Sequence, residues 1–261
     1  MPDTVRKYAR QGLQIWRSGG VQSYWEGYHT PVVGCLCHGA MSEWQLGGAG
    51  QCQANMDEAI SIAKELKDMN ALALALNWAS ILAYSERNPA EVDRLASDLI
   101  ELSTSHTFVF WLALGTIHRG WARSASGDTA EGIPWIEQGI RGFRATGSVL
   151  GLPSHLARKA EALHLADRTS EALETINEAK TLAERFEQPN WCAELHRLRG
   201  VFLATLGVDE AQIEASFHEA IRTARQQKAI SLEKRAEGTY AEYRRQKANA
   251  PGERGFRLPL C

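Results

Sequence analysis

Small residues recur at a fixed interval along this chain: Ala40, Ser80, Gly120, Ala160 and Gly200 lie 40 positions apart. A second series runs twelve residues behind the first, as Cys52, Val92, Gly132 and Ala172, then Ile213 after a one-residue slip. A long period constrains the fold more than composition does, because one supersecondary unit that cannot bury its own apolar side is being copied and stacked on itself. Inside the units the apolar spacing is helical: Ala172, Ile176, Ala179 and Ala183 form a stripe at i, i+4, i+7 and i+11. No segment reads as a strand. The expected fold is all-α, a right-handed superhelical array of antiparallel helix pairs, or α-solenoid, with about 40 residues per repeat.

Each unit reads as helix A, a short turn, helix B and another turn. After a leading helix around Thr4 to Trp16, the A helices fall near 31–46, 70–86, 108–125, 152–166, 191–206 and 230–246. The B helices fall near 51–67, 89–104, 129–145, 169–186 and 209–227. Asn88-Pro89-Ala90-Glu91 supplies an N-cap, a first-turn proline and a capping-box glutamate, and Asp128-Thr129-Ala130-Glu131 repeats the cap and the glutamate. Gly47, Gly127 and Gly207 stand where A helices should stop, positions that favour the left-handed conformation. Asn190, after Pro189, is the expected cap of the fifth A helix. Pro134 lies inside the third B helix, which must start late or kink.

Three regions follow: 1–29, a leading helix and a loop carrying Tyr24, Trp25 and Tyr28 that packs on the first pair; 30–247, five helix pairs and a final A helix; and 248–261, an irregular tail. The final A helix has no B partner. Its flank must be covered by the tail or by a second copy of the chain, a homodimer through the terminal repeat.

The chain has 261 residues and a net charge of −2, so no global field draws it to nucleic acid or membrane. From His218 onward ten Lys and Arg face five Asp and Glu, but without the interleaved aromatic platform that stacks bases. Neither nucleic acid nor membrane is an expected partner. Met1 to Trp16 lacks the apolar core of a signal peptide, and five scattered cysteines make no disulfide framework. The expected location is cytoplasmic.

Unit four shows the small-large-small scheme as Ala160, Leu163, Ala172, Ile176 and Ala179; unit three as Gly120, Gly127, Gly132, Ile136 and Gly139; unit one as Ala40, Gly47, Cys52, Met56 and Ala59. This scheme resembles the tetratricopeptide repeat, with longer helices. The string FWLALGTIHRGWARSASGDTAEGIPWIEQGIRGFRATGSVLGLP, with AMSEWQLG, CAELHRLRGVFLATLG and ASFHEAIRTARQQKAISLEKRAE, resembles the tetratricopeptide-type C-terminal region of large bacterial signalling ATPases. Those proteins carry an adenylate/guanylate cyclase domain in front or are transcription activators of the maltose-regulator kind. The resemblance spans roughly Gly27 to Arg245, and it implies a regulatory role without the ATPase or cyclase domains themselves. It also implies a small-molecule sensor as an alternative to a protein-binding module.

Catalytic signatures are missing. There is no G-x-x-x-x-G-K-[ST] loop, no H-E-x-x-H and no paired C-x-x-C, and Gly47-Gly48-Ala49-Gly50 reads as a helix-to-helix turn. The expectation is a non-enzymatic module with no cofactor and no metal, binding a protein or peptide through its concave face. By analogy with tetratricopeptide arrays, the groove positions lie three behind, one ahead and four ahead of each small A-helix residue, a single helical face. They are Cys37, Met41 and Trp44; Asn77, Ile81 and Tyr84; Ile117, Trp121 and Ser124; Ala157, Glu161 and His164; and Arg197, Val201 and Ala204. Met41, Trp44, Asn77, Tyr84, Trp121, Glu161, His164 and Arg197 are the candidate contacts. The large aromatics either line an open groove or fill the centre of a tightly wound coil, and spacing alone does not separate the two.

Overall fold

The computed structural model describes residues 1–18 and 30–249. Its elements are α1 (Pro2–Arg17), α2 (Thr30–Gln45), α3 (Ala49–Glu65), α4 (Met69–Ser85), α5 (Pro89–Ser105), α6 (Val109–Ala125), α7 (Thr129–Ala145), α8 (Leu152–Leu165), α9 (Thr169–Arg185), a 3-10 turn (Pro189–Trp191), α10 (Cys192–Leu206), α11 (Glu210–Gln227) and α12 (Ile230–Asn249). The even-numbered helices α2 to α12 are the A series and α3 to α11 the B series. Among the described residues there is no strand. The architecture is the tetratricopeptide-like α-solenoid expected from the 40-residue period.

The backbone resets every twenty residues. Gly47, Lys67, Arg87, Thr107, Gly127, Gly147, Asp167, Glu187 and Gly207 all have positive φ, as does Lys228 one position out of phase. At most of these positions the next residue's N–H reaches back across the last turn, as in Asn88 N to Ala83 O at 3.0 Å and Gln188 N to Ala183 O at 2.8 Å. This Schellman closure satisfies carbonyls that the helix end orphans. Glycine marked three of these ends in the sequence. Gly147 is a fourth, and the other six ends use residues with a Cβ, which sterics disfavour there, so composition gave no signal for them.

Caps Asn88 and Asp128 accept from the N–H of Glu91 and of Glu131, both at 3.2 Å, and Asp68 caps α4 through Ala71 N at 2.9 Å. Asn190 does not cap the fifth A helix: Pro189–Trp191 form a 3-10 turn and α10 begins at Cys192 behind Trp191. Helix α7 does not start late, since it runs from Thr129 through Pro134 with the proline exposed. There the carbonyl that loses its partner is open to water. Helix α8 starts at Leu152, as read from the sequence, three residues behind the 40-residue phase set by Met69 and Val109. Gly147 and Gly151, both left-handed, replace its first turn, and the buried Gln188 side chain braces that loop at Gly151 N (2.8 Å) and Val149 O (3.0 Å).

Each A helix packs on its own B helix and on the next A helix, whereas the B helices pack on A helices and not substantially on one another. The array therefore curves with the A series inside. The periodic small residues sit where backbones approach: Ala40, Ser80, Ala160, Cys52, Val92 and Ala172 have no exposed surface. The tightest contact joins α6 and α7, where a Cβ on Gly132 would stand 2.4 Å from Gly120 O. At Gly200 a Cβ would meet the Phe217 ring at 2.7 Å.

Two ends are closed differently. Helix α1 covers the flank of α2, with Arg10 Nη2 reaching the buried Glu43 at 2.8 Å. Helix α12 turns back onto α2: Ser231 Oγ donates to Trp44 O at 2.5 Å, and Trp44 packs against the cluster of Ala193, Ala224, Ala229 and Leu232. The loop with Tyr24, Trp25 and Tyr28 and the tail from 250 lie outside the described residues. Among the described residues, no helix is long and apolar enough to cross a membrane.

Gly132→Ala is expected to destabilise the protein by about 2–3 kcal/mol in urea unfolding, because overpacking two backbones outweighs alanine's better helix propensity. Gly238→Ala, in exposed mid-helix with nothing within 4 Å of the added carbon, should stabilise by about 0.5–1 kcal/mol in the same assay.

Candidate functional site

Because the A helices restart in phase, their inner faces deliver side chains to one place. Helix α4 supplies Asn77 and Tyr84, and Arg87 follows at its left-handed exit. Helix α6 supplies His118 and Trp121, α8 Arg158 and Glu161, α10 Glu194 and Arg197, and α12 Arg235 and Thr239. This is a charged cluster in the interior: Arg158 is 0%, Glu161 1%, Arg197 1% and Glu194 5% exposed. Buried charge is tolerated only when paired and hydrogen-bonded.

Two carboxylates organise the pairing. Glu161 Oε1 accepts a short hydrogen bond from the Tyr84 hydroxyl, and its Oε2 accepts from Arg87 Nη1 at 2.6 Å and Trp121 Nε1 at 3.2 Å. Glu194 Oε1 takes Arg87 Nη2 at 2.7 Å and Arg197 Nη2 at 2.7 Å, and Oε2 takes Arg197 Nε at 2.9 Å. Arg87 thus bridges α8 and α10. Arg197 continues to Thr239 Oγ1 at 3.2 Å, and Arg235 Nη1 stands 3.7 Å from Glu194. Arg235 also donates to Ser85 O and lies 5.4 Å from the Trp44 ring centre, which ties the cluster to the contact between α12 and α2.

Tyr84 and Trp121 meet edge to face at 4.7 Å, and the Arg158 guanidinium covers the Tyr84 ring at 4.1 Å. Two helical turns before Tyr84, Asn77 Oδ1 lies 3.1 Å from His118 Nε2. His155 packs edge-on against Phe143.

Burial opposes ionisation of Glu194, but the guanidinium groups of Arg197, Arg235 and Arg87 outweigh it and hold the carboxyl well below its usual range. Burial, with Glu161 beside it, pushes the Tyr84 hydroxyl up. Burial also drives Arg158 below the usual guanidinium value. His155 falls to about 3 and His118 well below 6.5, in both cases through burial and then the charge of Arg158.

The structure brings five of the sequence candidates into this cluster or onto its edge: Asn77, Tyr84, Trp121, Glu161 and Arg197. Trp44 stands half-buried where α12 meets α2, and Met41 is core on α2. His164 lies apart, half-buried between Thr169 Oγ1 at 3.0 Å and the Phe202 ring. The choice between open groove and filled centre falls to filled: Trp121 is 2% and Tyr84 3% exposed. Sequence reading missed Arg87, Arg158, Glu194 and Arg235. Arg158 and Glu194 sit one turn from the chosen face, and Glu194 with Arg197 at i, i+3 was a readable pair. Among the described residues no cluster of His, Cys, Asp or Glu is placed to hold a metal ion.

The comparisons with solved structures agree on helical repeats and stop there. The sequence profile of anaphase-promoting complex subunit 5 matches residues 26–86 and 193–234, which take in α2 to α4, most of α10, α11 and the start of α12. An uncharacterized protein of Rhizobium meliloti (strain 1021) is 25% identical over 216 residues; the match takes in 83% of this chain but only 21% of that protein's length. Among solved structures, Bacillus thuringiensis PlcR in complex with the peptide PapR7 and DNA is similar with a TM-score of 0.59 at 16% identity, over 87% of this chain and 76% of that one. The apo form of RapI gives a TM-score of 0.58 at 10% identity, over 95% of this chain and all of that one. At these identities the structural likeness defines a fold, a tetratricopeptide-like solenoid.

Two outcomes test this electrostatic reading. A histidine that is neutral and buried in the fold but free to protonate when unfolded withdraws stability as pH falls below 6.5. His155 should cost about 2 kcal/mol between pH 7 and pH 5, and His118 acts in the same direction. His155→Leu should flatten that slope in denaturant titrations; the carboxylate Glu194 contributes only at lower pH. Glu194→Gln should destabilise by about 3–5 kcal/mol at pH 7, because it strands guanidinium groups in the interior.

Proposed function

We propose that this chain is a non-enzymatic regulatory module of a bacterial signalling system that binds a protein segment or peptide along the inner faces of its A helices. The observation that carries this is the convergence of aromatic and charged side chains from five successive A helices on one interior, closed at a single seam. The seam is slight: the Ser231–Trp44 hydrogen bond, the apolar packing of Trp44 and the contacts of Arg235. A ligand that parts α12 from α2 would reach Met41, Trp44, Asn77, Tyr84, Trp121, Glu161 and Arg197, and His164 would be met only by a ligand long enough to run on along α8. It would then shift the array between closed and open forms by its differential affinity for the two.

PlcR, which shares the fold, was crystallised with a peptide, and that supports the choice of ligand. The far greater length of the rhizobial relative supports reading the chain as the repeat segment of a larger signalling protein, in line with its resemblance to signalling ATPases. A second reading, a small-molecule sensor, is favoured by the enclosure itself, since a compact ligand would displace fewer of the packed interior side chains than a peptide. A homodimer through the terminal repeat remains our proposal for the outer flank of α12.

The test is a thermal-shift screen of peptide and metabolite collections followed by hydrogen–deuterium exchange on any hit. A ligand present at a hundred times its Kd should stabilise by about 2.7 kcal/mol. Exchange should slow in α4, α6, α8 and α10 and quicken at the Ser231–Trp44 seam. Protection confined to the outer B helices would remove the inner-face reading, and a metabolite hit without a peptide hit would favour the sensor.

A further inference from the structure

We propose that the interior of the array grips a carboxylate on the open edge of Arg158. This deepens the peptide reading above and rests on it only for what carries the carboxylate. The side chain is wholly buried, yet its Nε and Nη2 have no hydrogen-bond partner. Its Nη1 is anchored on Ser154 O at 3.1 Å, and its face is covered by Tyr84 at 4.1 Å. The guanidinium is therefore held in place with one edge unpaired, the Nε–Nη2 edge.

The rest of the chain shows what that edge takes. Arg197 donates Nε and Nη2 to Glu194 at 2.9 and 2.7 Å, and Arg168 donates the same pair to Glu171 at 2.7 and 2.7 Å. Arg94 does so with Glu91 at 2.9 and 2.6 Å, and Arg245 with Glu242 at 2.7 and 2.6 Å. In each case the carboxylate is three residues away on or beside the same helix. For Arg158 those two positions are His155 and Glu161. The first is not an acid, and the second is turned to Tyr84, Arg87 and Trp121. The chain has built a fork and committed the neighbouring acid elsewhere.

Charge points the same way. The cluster holds four guanidinium groups, Arg87, Arg158, Arg197 and Arg235, against two carboxylates, Glu161 and Glu194. A further anion relieves an excess that is costly in the interior. A planar monoanion matches one planar two-N–H edge, and it is the anion that this edge already takes at Arg197, Arg168, Arg94 and Arg245. The unpartnered Nδ1 of His155, near enough to feel the Arg158 charge, can carry that ring's one proton and offer a further donor, whereas His118 spends its proton on Asn77 Oδ1. The carboxylate belongs to a peptide terminus or acidic side chain, or to a free organic acid.

Thermal shift and tryptophan fluorescence on the full chain decide between these sources with matched probes. One arm compares a pool of short peptides bearing free C-terminal carboxylates with the same pool amidated. The other compares acetate, succinate and phenylacetate with their amides. In at least one arm the acid should bind at least tenfold more tightly than its amide. Arg158→Met should abolish that preference while melting at or above the wild-type temperature, since it removes an unpaired interior charge. Arg158→Lys, which keeps the charge but not the fork, should lose at least tenfold in affinity and covers the case in which the methionine variant does not fold. Equal binding of acid and amide in both arms, or an acid preference that survives Arg158→Lys unchanged, would overturn the assignment. Peptides that bind equally well when amidated, with no acid preference in the organic-acid arm, would leave the peptide reading standing and sink this one alone.

Discussion

The backbone's return to the left-handed region every twenty residues is the constraint on which the rest of this molecule depends. It cuts the chain into helices of nearly equal length, so each A helix starts at the same rotation as the one before. Phase is then inherited from rung to rung. Small residues fall at every A–B crossing, large ones at every flank, and the inner face of each A helix points to a common interior. Six of these exits are made by residues that carry a Cβ. Their local strain is offset by the hydrogen bonds of the closure and by the packing that follows.

Arg87 shows how this constraint reaches the cluster. A glycine would take its backbone conformation more easily, yet the position carries the longest side chain available and sends it between Glu161 and Glu194. Burial favours loss of its proton, but Glu161, Tyr84 and Glu194 more than compensate and keep it charged. The same residue ends one helix and joins two others. Removing it would damage a turn and a network together, which is why the open edge of Arg158 makes a cleaner probe of the interior.

Much of the architecture could be read from the chain because its causes are local. The caps at Asn88 and Asp128 and the small residues at crossings act within one rung, and helix boundaries fell within a few residues of their observed places. The failures have physical reasons too. Asn190 was passed over because Pro189 opens a 3-10 turn that lets Trp191 precede the helix. Pro134 was absorbed because it faces solvent. The charged cluster was only half legible: pattern analysis selects one helical face, whereas Arg158 and Glu194 enter from its margin on long side chains. The approach of α12 to α2 was not legible at all, since it is the sum of small rotations over five rungs.

That return contact changes what kind of polymer this is. An open stack can melt from either end, one rung at a time, because each unit answers only to its neighbours. Here residue 231 holds residue 44, so fraying at the last rung also releases the first. The two ends share their fate, and the stack gains the all-or-none character of a ring.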